Sequence, residues 1–223
     1  MENSANSSRI LNFNHLMNKK NLFVLGILAF LIFVFFSYLV HKDLFTQFDF
    51  DNTVKLQDRI TRRVDTPFST LSLLGSFEIS SLFLLFLVVI RRKISAIFIF
   101  IPYVMAILLE LYGKIFVIHP GPPYLFLRND IPFNFPSSYV QPGSSYPSGH
   151  STRTLFISVV LIFMIANSKK LSGFQKTIFI SLALAFDVAM LVSRVYLGEH
   201  WTSDVVGGAL LGSGFGLISL IAF

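Results

Sequence analysis

The stretch LFVLGILAFLIFVFFSYLV, residues 22–40, decides what kind of protein this is. It is an uncharged apolar run of the length that carries a helix across the hydrocarbon core of a bilayer, about 20 residues. Lys19 and Lys20 precede it in the manner of a signal peptide. The run is too long for one, and no small-x-small cleavage site follows before His41-Lys42-Asp43, so Leu22–Val40 is expected to remain as a first membrane helix.

Working outward, the same criterion gives five more spans: Thr70–Ile90, Ile94–Ile118, Ser151–Ala166, Thr177–Val195 and Thr202–Phe223. Composition agrees. Of 223 residues, 53% are hydrophobic and only 13% charged, and mean hydropathy is +0.67. That charged share is about half that of a soluble domain, and a water-soluble globule could not bury so much apolar surface. The net charge of +6 falls in short clusters between apolar runs, a pattern of membrane topology that argues against nucleic-acid binding. Cysteine is absent, which removes disulfides, thiolate metal sites and cysteine nucleophiles. The expected fold is all-α, a six-helix integral membrane bundle forming one domain over 1–223, with residues 1–20 as a cytoplasmic tail.

The basic residues orient it. Arg9, Lys19 and Lys20 lie before the first span, Arg91, Arg92 and Lys93 after the second, and Lys169, Lys170 and Lys176 after the fourth. The positive-inside rule then puts both termini in the cytoplasm, against an opposing vote from Lys42, Lys55, Arg59, Arg62 and Arg63 in the first outer loop. In that loop Leu44, Phe45, Phe48, Val54, Leu56, Ile60 and Val64 recur at partly helical intervals, as in a helix lying among the headgroups. The second outer segment, His119–Tyr146, holds too many prolines for a helix. There are no internal repeats and no separate soluble domain.

Ionisable side chains in or at the ends of spans are costly and are candidates for function. Lys114 lies near the outer end of the third span, His150 opens the fourth, Arg194 closes the fifth, and His200 and Asp204 open the sixth. All five fall at the outer boundary and come from four helices, so packing can bring them together. Each suits a phosphate group. Pro147-Ser148-Gly149-His150 leads into a helix, whose first N–H groups and dipole favour an anion. Gly149 allows close approach, Ser148 adds a hydroxyl, and Lys114 and Arg194 add positive charge. His200 and Asp204 share a helical face, so the carboxylate can fix one imidazole nitrogen and leave the other free to attack. His150 is then available as general acid for the leaving oxygen.

Pro147-Ser148-Gly149-His150 followed by Ser193-Arg194-x5-His200-x3-Asp204 resembles the type 2 phosphatidic acid phosphatase superfamily, over roughly residues 110–208. That family's first motif, Lys-x6-Arg-Pro, is matched by Lys114 and Pro122, but Gly121 stands at the arginine position. The resemblance implies that His200 is the nucleophile and forms a phosphohistidine, that Asp204 orients it, and that His150 protonates the leaving group. It implies phosphate binding by Lys114, Ser148, Gly149 and Arg194, and no metal or other cofactor. His119 and Arg128 are the nearby groups that could compensate for Gly121, Arg128 by folding over the site. The implied partner is a lipid phosphate in the bilayer, a polyprenyl pyrophosphate such as undecaprenyl pyrophosphate being favoured, at the outer face of a bacterial cytoplasmic membrane.

Other readings stand beside this one. A phosphotransferase would share the intermediate, and phosphatidylglycerol phosphate, phosphatidic acid or a lipid A phosphate are alternative substrates. A transporter is disfavoured by the lack of an inverted repeat and of midplane charge, and a metal site from His119, His150, His200 and Asp204 lacks a ligand spacing. A catalytically inactive relative remains a further alternative. Glu78 and Asp187 are expected to make internal polar contacts. Gly207, Gly208, Gly212, Gly214 and Gly216 should serve close helix packing, and Trp201 and Tyr196 should anchor at the interface.

Overall fold

A computed structural model describes residues 18–128 and 144–222; Arg9 with most of the tail, the greater part of the second outer segment and Phe223 lie outside the described residues. The described chain is helical: α1 (Lys19–His41), α2 (Thr46–Arg59), α3 (Asp65–Leu74), α4 (Phe77–Arg91), α5 (Phe100–Phe116), α6 (Gly149–Ala166), α7 (Gly173–Tyr196) and α8 (Thr202–Ser219). Side-chain caps start several of them. Asn18 accepts from the Lys20 N–H at α1, and Ser172 with Gln175 closes a reciprocal capping box at α7.

Four segments are long and apolar enough to cross a membrane: Lys19–His41, Ile94–Phe116, Gly149–Ala166 and Gly173–Tyr196. Thr70–Ile90, expected as one straight span, is instead broken between α3 and α4 with a bend of 52°. The break falls at Gly75-Ser76, where Ser76 caps the new helix by accepting from the Ile79 N–H. The carbonyls that the break frees are satisfied from within the protein: Leu74 accepts from the Ser80 hydroxyl at 3.2 Å and Gly75 from Arg153 Nε at 3.1 Å. Irregular backbone at membrane depth requires such compensation. The expected sixth span, Thr202–Phe223, ends as helix at Ser219, and α8 does not reach the apolar standard of the other four. Its five glycines lower its hydropathy, and the helix lies inside the bundle, where it needs close contact more than greasy side chains.

Helix α8 packs most extensively on α1 and α6. A Cβ on Gly208, Gly212 or Gly216 would stand 2.3 Å from the Ser148 carbonyl, 2.1 Å from that of Thr152 and 3.1 Å from that of Phe156. On another face, Gly214 meets Gly26 of α1. The glycine spacing therefore brings backbones together, as expected for helices that gain little from apolar burial in lipid. The molecule is inside-out by the standards of a soluble protein. Leu82 and Phe35 are 68% and 63% exposed on its outside, whereas Arg194, Asp204 and Ser148 are fully buried.

Between α1 and α3, the expected helix is present as α2, turning Asp49 and Thr53 inward. Tyr196 is not an interfacial anchor: it is fully buried, and its hydroxyl lies within hydrogen-bond reach of the Asp65 carboxylate and the Thr61 carbonyl. Asp187 makes the expected internal contact, accepting from the Ser158 hydroxyl at 2.6 Å. Glu78 is exposed in the first turn of α4, where a carboxylate complements the helix dipole.

Candidate active site

Ser148 caps α6, its hydroxyl accepting from the Ser151 N–H, and its own N–H donates to the Asp204 carbonyl at 3.0 Å. The glycine contacts of α8 make this approach possible, so the start of α6 and the start of α8 form one unit. Gly149 has a stricter reason than conformational freedom. A Cβ there would lie 2.2 Å from Glu110 Oε1 and 2.8 Å from Arg153 Nη1. Gly75, at the helix break, faces the His150 ring, which a Cβ would meet at 2.9 Å.

Around His150 the structure gathers the charges of Arg194, Arg153, His200 and Lys114. Lys114 Nζ lies 3.1 Å from Glu110 Oε1, and Arg153 Nη1 lies 3.1 Å from Glu110 Oε2. Arg194 is buried, with Nη1 donating to Ser72 at 2.8 Å and to Glu199 at 2.5 Å, and Nε and Nη2 donating to Ser193. A bound phosphate would compete with Glu199 and Glu110 for these cations.

Asp204 is the hub of the other half. Its Oδ2 lies 3.4 Å from His200 Nδ1 and accepts from the Trp201 N–H at 2.9 Å. Its Oδ1 lies 2.8 Å from His119 Nδ1. On the far side of His119, Nε2 stands 3.7 Å from Asp49 Oδ2. Asp49 in turn accepts from the Ser203 N–H at 2.8 Å and hydroxyl at 2.6 Å. The segment after α5 holds His119 in place. Pro120 pairs with Ser144 in an antiparallel bridge, the Ser145 N–H donates to the His119 carbonyl, and the Trp201 indole N–H donates to Pro120 at 2.7 Å.

The electrostatics of this end are legible outside the spans. Burial works against a charge on His119, but the hydrogen bond to Asp204 and the charges of Asp204, Asp49 and Asp43 outweigh it and raise its pKa above the ordinary 6.5. Burial pushes the Asp49 carboxyl up, and the Asp204 charge adds to this; the two Ser203 donors and His119 pull it down only in part.

The structure thus brings Lys114, Ser148, Gly149, His150, Arg194, His200 and Asp204 to one end of the bundle. It does not place Arg128 among the charges that reach His150. The Arg128 N–H donates to the Leu197 carbonyl, and its guanidinium lies 5.1 Å over the Tyr196 ring. His119 faces Asp204, away from the role of phosphate cation. Three members were missed. Arg153 carried a signal, being a cation inside an apolar span. Glu110, one helical turn before Lys114, looks in the sequence like no more than that lysine's ion-pair partner. Asp49 looked like any of the acids in its loop. Among the described residues, no group of three or more His, Cys, Asp or Glu side chains is arranged to hold a metal.

Comparison with known proteins follows the same outline. Over 69 residues the chain is 39% identical to phosphatidylglycerophosphatase B of Bacillus subtilis, and over 97 residues it is 34% identical to undecaprenyl-diphosphatase of Sulfolobus acidocaldarius. These stretches cover 30% and 40% of the chain, and only 34% and 41% of the two relatives. In fold, it is similar to the crystal structure of a transmembrane PAP2-type phosphatidylglycerolphosphate phosphatase from Bacillus subtilis, with a TM-score of 0.70 at 18% identity over 88% of this chain and 93% of that one. It also matches LpxE of Aquifex aeolicus, with a TM-score of 0.59 at 24% identity over 78% and 95% of the two chains. The family model of the PAP2 superfamily matches residues 94–223, which takes in every helix of the site except α2 and α3, and the chain belongs to that superfamily.

Proposed function

We propose that this protein hydrolyses a lipid phosphate or pyrophosphate through a phosphohistidine on His200. The observation that carries this reading is the pairing of His200 with the Asp204 carboxylate, beside His150 and within a ring of Lys114, Arg194 and Arg153. Lys114, Arg194, Ser148 and the first N–H groups of α6 at Gly149 hold the phosphate. Nε2 of neutral His200 forms a bond to phosphorus as the bond to the leaving oxygen breaks. That oxygen takes the proton of His150, while Nδ1–H of the now cationic His200 donates to Asp204. Water then attacks phosphorus, gives its proton to His150 and releases His200.

A polyprenyl pyrophosphate is the favoured substrate. The name of the undecaprenyl-diphosphatase relative supports it, as does a groove of about 650 Å³ between α4, α6 and α7. The groove starts at Leu74 and Thr154, next to the His150 end, and continues to Ile165 and Leu171 with mostly apolar walls, interrupted by Ser80, Ser158 and Asp187, that suit a hydrocarbon tail. The basic clusters favour six crossings with both termini in the cytoplasm and the site on the outer face of the cell membrane. A cysteine placed at Ser144 should then react with an impermeant reagent in intact cells, and one at Ser168 should not.

The test of function is phosphate release by protein purified in detergent. It should be offered farnesyl pyrophosphate, phosphatidic acid and phosphatidylglycerol phosphate, with and without chelator. Release should persist with chelator, and a rapid quench should trap an acid-labile phosphoprotein that is absent from His200→Ala. A His200→Ala protein with near-normal turnover would end the covalent reading.

A further inference from the structure

Asp204 faces two histidines, and the proposed reaction uses one of them. His119 is 7% exposed in its side chain and is closer to Asp204, at 2.8 Å, than His200 is, at 3.4 Å. A second buried carboxylate, Asp49, stands behind it at 3.7 Å. The order is therefore Asp49, His119, Asp204, His200, in which carboxylate and imidazole alternate.

Two carboxylates this deeply buried cannot stand close together without a counter-charge. Asp49 is committed as an acceptor by two donors of Ser203, which fits an ionised group. Both ring nitrogens of His119 face carboxylate oxygens, an arrangement that suits an imidazole carrying protons on both. Two negative charges and one positive then leave one negative charge over. The His200 ring becomes positive when its Nε2 is phosphorylated, and the cluster is then balanced.

We propose that His119 is a positioning residue for the nucleophile: as a cation between Asp49 and Asp204, it cancels one carboxylate charge and aims Oδ2 of Asp204 at His200. This deepens the phosphohistidine reading and rests on it. The groups facing His119 are Asp204 from α8, Asp49 from α2, Asp43 from the turn after α1, and the edge-on ring of Tyr146 ahead of α6. Its raised pKa fits the role, since the cation is then present at neutral pH. The sign follows: the positioning effect is complete below the pKa of His119 and is lost as pH rises through it.

The experiment measures kcat and KM of the full chain in detergent across roughly pH 5 to 9, using farnesyl pyrophosphate and phosphatidic acid, for wild type, His119→Gln and Asp49→Asn. His119→Gln keeps a donor toward Asp204 but no charge. It should lower kcat about ten- to a hundredfold with KM nearly unchanged, because His119 does not touch phosphate. It should also remove the limb of the profile that belongs to His119. Asp49→Asn keeps the acceptor for Ser203 and should move that limb to lower pH. In parallel, nitrogen NMR of histidine-labelled protein identifies His119 as the signal missing from His119→Gln. That ring should carry two protons at neutral pH and lose one at lower pH in Asp49→Asn. A singly protonated His119 at neutral pH overturns the proposal whatever the enzyme does. So does a His119→Gln enzyme with wild-type kcat, or one whose loss leaves the pH limbs in place. Turnover by His200→Ala would sink the covalent reading instead, and the NMR titration would still decide the state of His119.

Discussion

Two buried carboxylates hold the two halves of the site, and each bridges a pair of basic groups. Glu110 joins Lys114 to Arg153, and Asp204 joins His119 to His200. The partners of Glu110 are a lysine and an arginine, which serve here as donors in ion pairs, so that half is a scaffold. It fastens α5 to α6 and, through Arg153 and the Gly75 carbonyl, to the helix break. The partners of Asp204 are imidazoles, whose charge can change during a reaction cycle. In the proposed reaction, the chemistry falls to the imidazole half and the other half helps to hold the phosphate.

The largest expected effect lies at the movable end. Asp204→Asn should leave the fold intact and lower kcat by about 10³–10⁴, because the amide cannot hold the His200 ring in its reactive tautomer, as in the serine triad. Steady-state turnover with a circular-dichroism check of folding tests this, and a loss below tenfold would show that the two carboxylates are less distinct than claimed. At the fixed end the effect should be on stability. Glu110→Ala strands a buried guanidinium and should cost about 3–5 kcal/mol in unfolding, whereas adding Arg153→Met should recover part of it. A double variant less stable than the single one would mean that Arg153 serves chiefly the Gly75 carbonyl.

A smaller effect should come from the joint between the halves. The Cβ of Gly208→Ala would meet the Ser148 carbonyl at 2.3 Å, and parting α6 from α8 should cost about 1–3 kcal/mol together with a fall in kcat. Thermal unfolding and turnover should decline together; unchanged turnover would separate the packing from the site. The smallest concerns Arg128, which lies on Tyr196. Arg128→Ala should change kcat/KM by about two- to fivefold, the scale of one cation–aromatic contact. A hundredfold loss would mean that Arg128 moves to the phosphate and completes the fixed half, the role that Gly121 leaves open.

How much was legible follows from where each signal resides. Lys114, His150, Arg194, His200 and Asp204 stood out because charge is conspicuous in an apolar chain and because two motifs fix their spacing. Arg153 satisfied the same criterion and was passed over, since it belongs to neither of the two motifs. Asp49 could not be found that way. Its neighbours Asp43, Asp51 and Asp58 are as acidic, and nothing along the chain says that Asp49 alone turns toward Ser203.

The sequence by itself determined that this is a membrane-embedded helical protein, where its apolar segments lie, and which glycines permit close packing. Each of these is set by local composition and by a period of a few residues. Only the tertiary structure decided that the second span breaks at Gly75, because a break is tolerated there only if Arg153, far along the chain, reaches the freed carbonyl. Only it decided that His119 belongs to Asp204 and Tyr196 to the interior. Hydrogen bonds and charge balance are settled between groups a few ångströms apart, and in this bundle those groups are brought together by helices from opposite ends of the sequence.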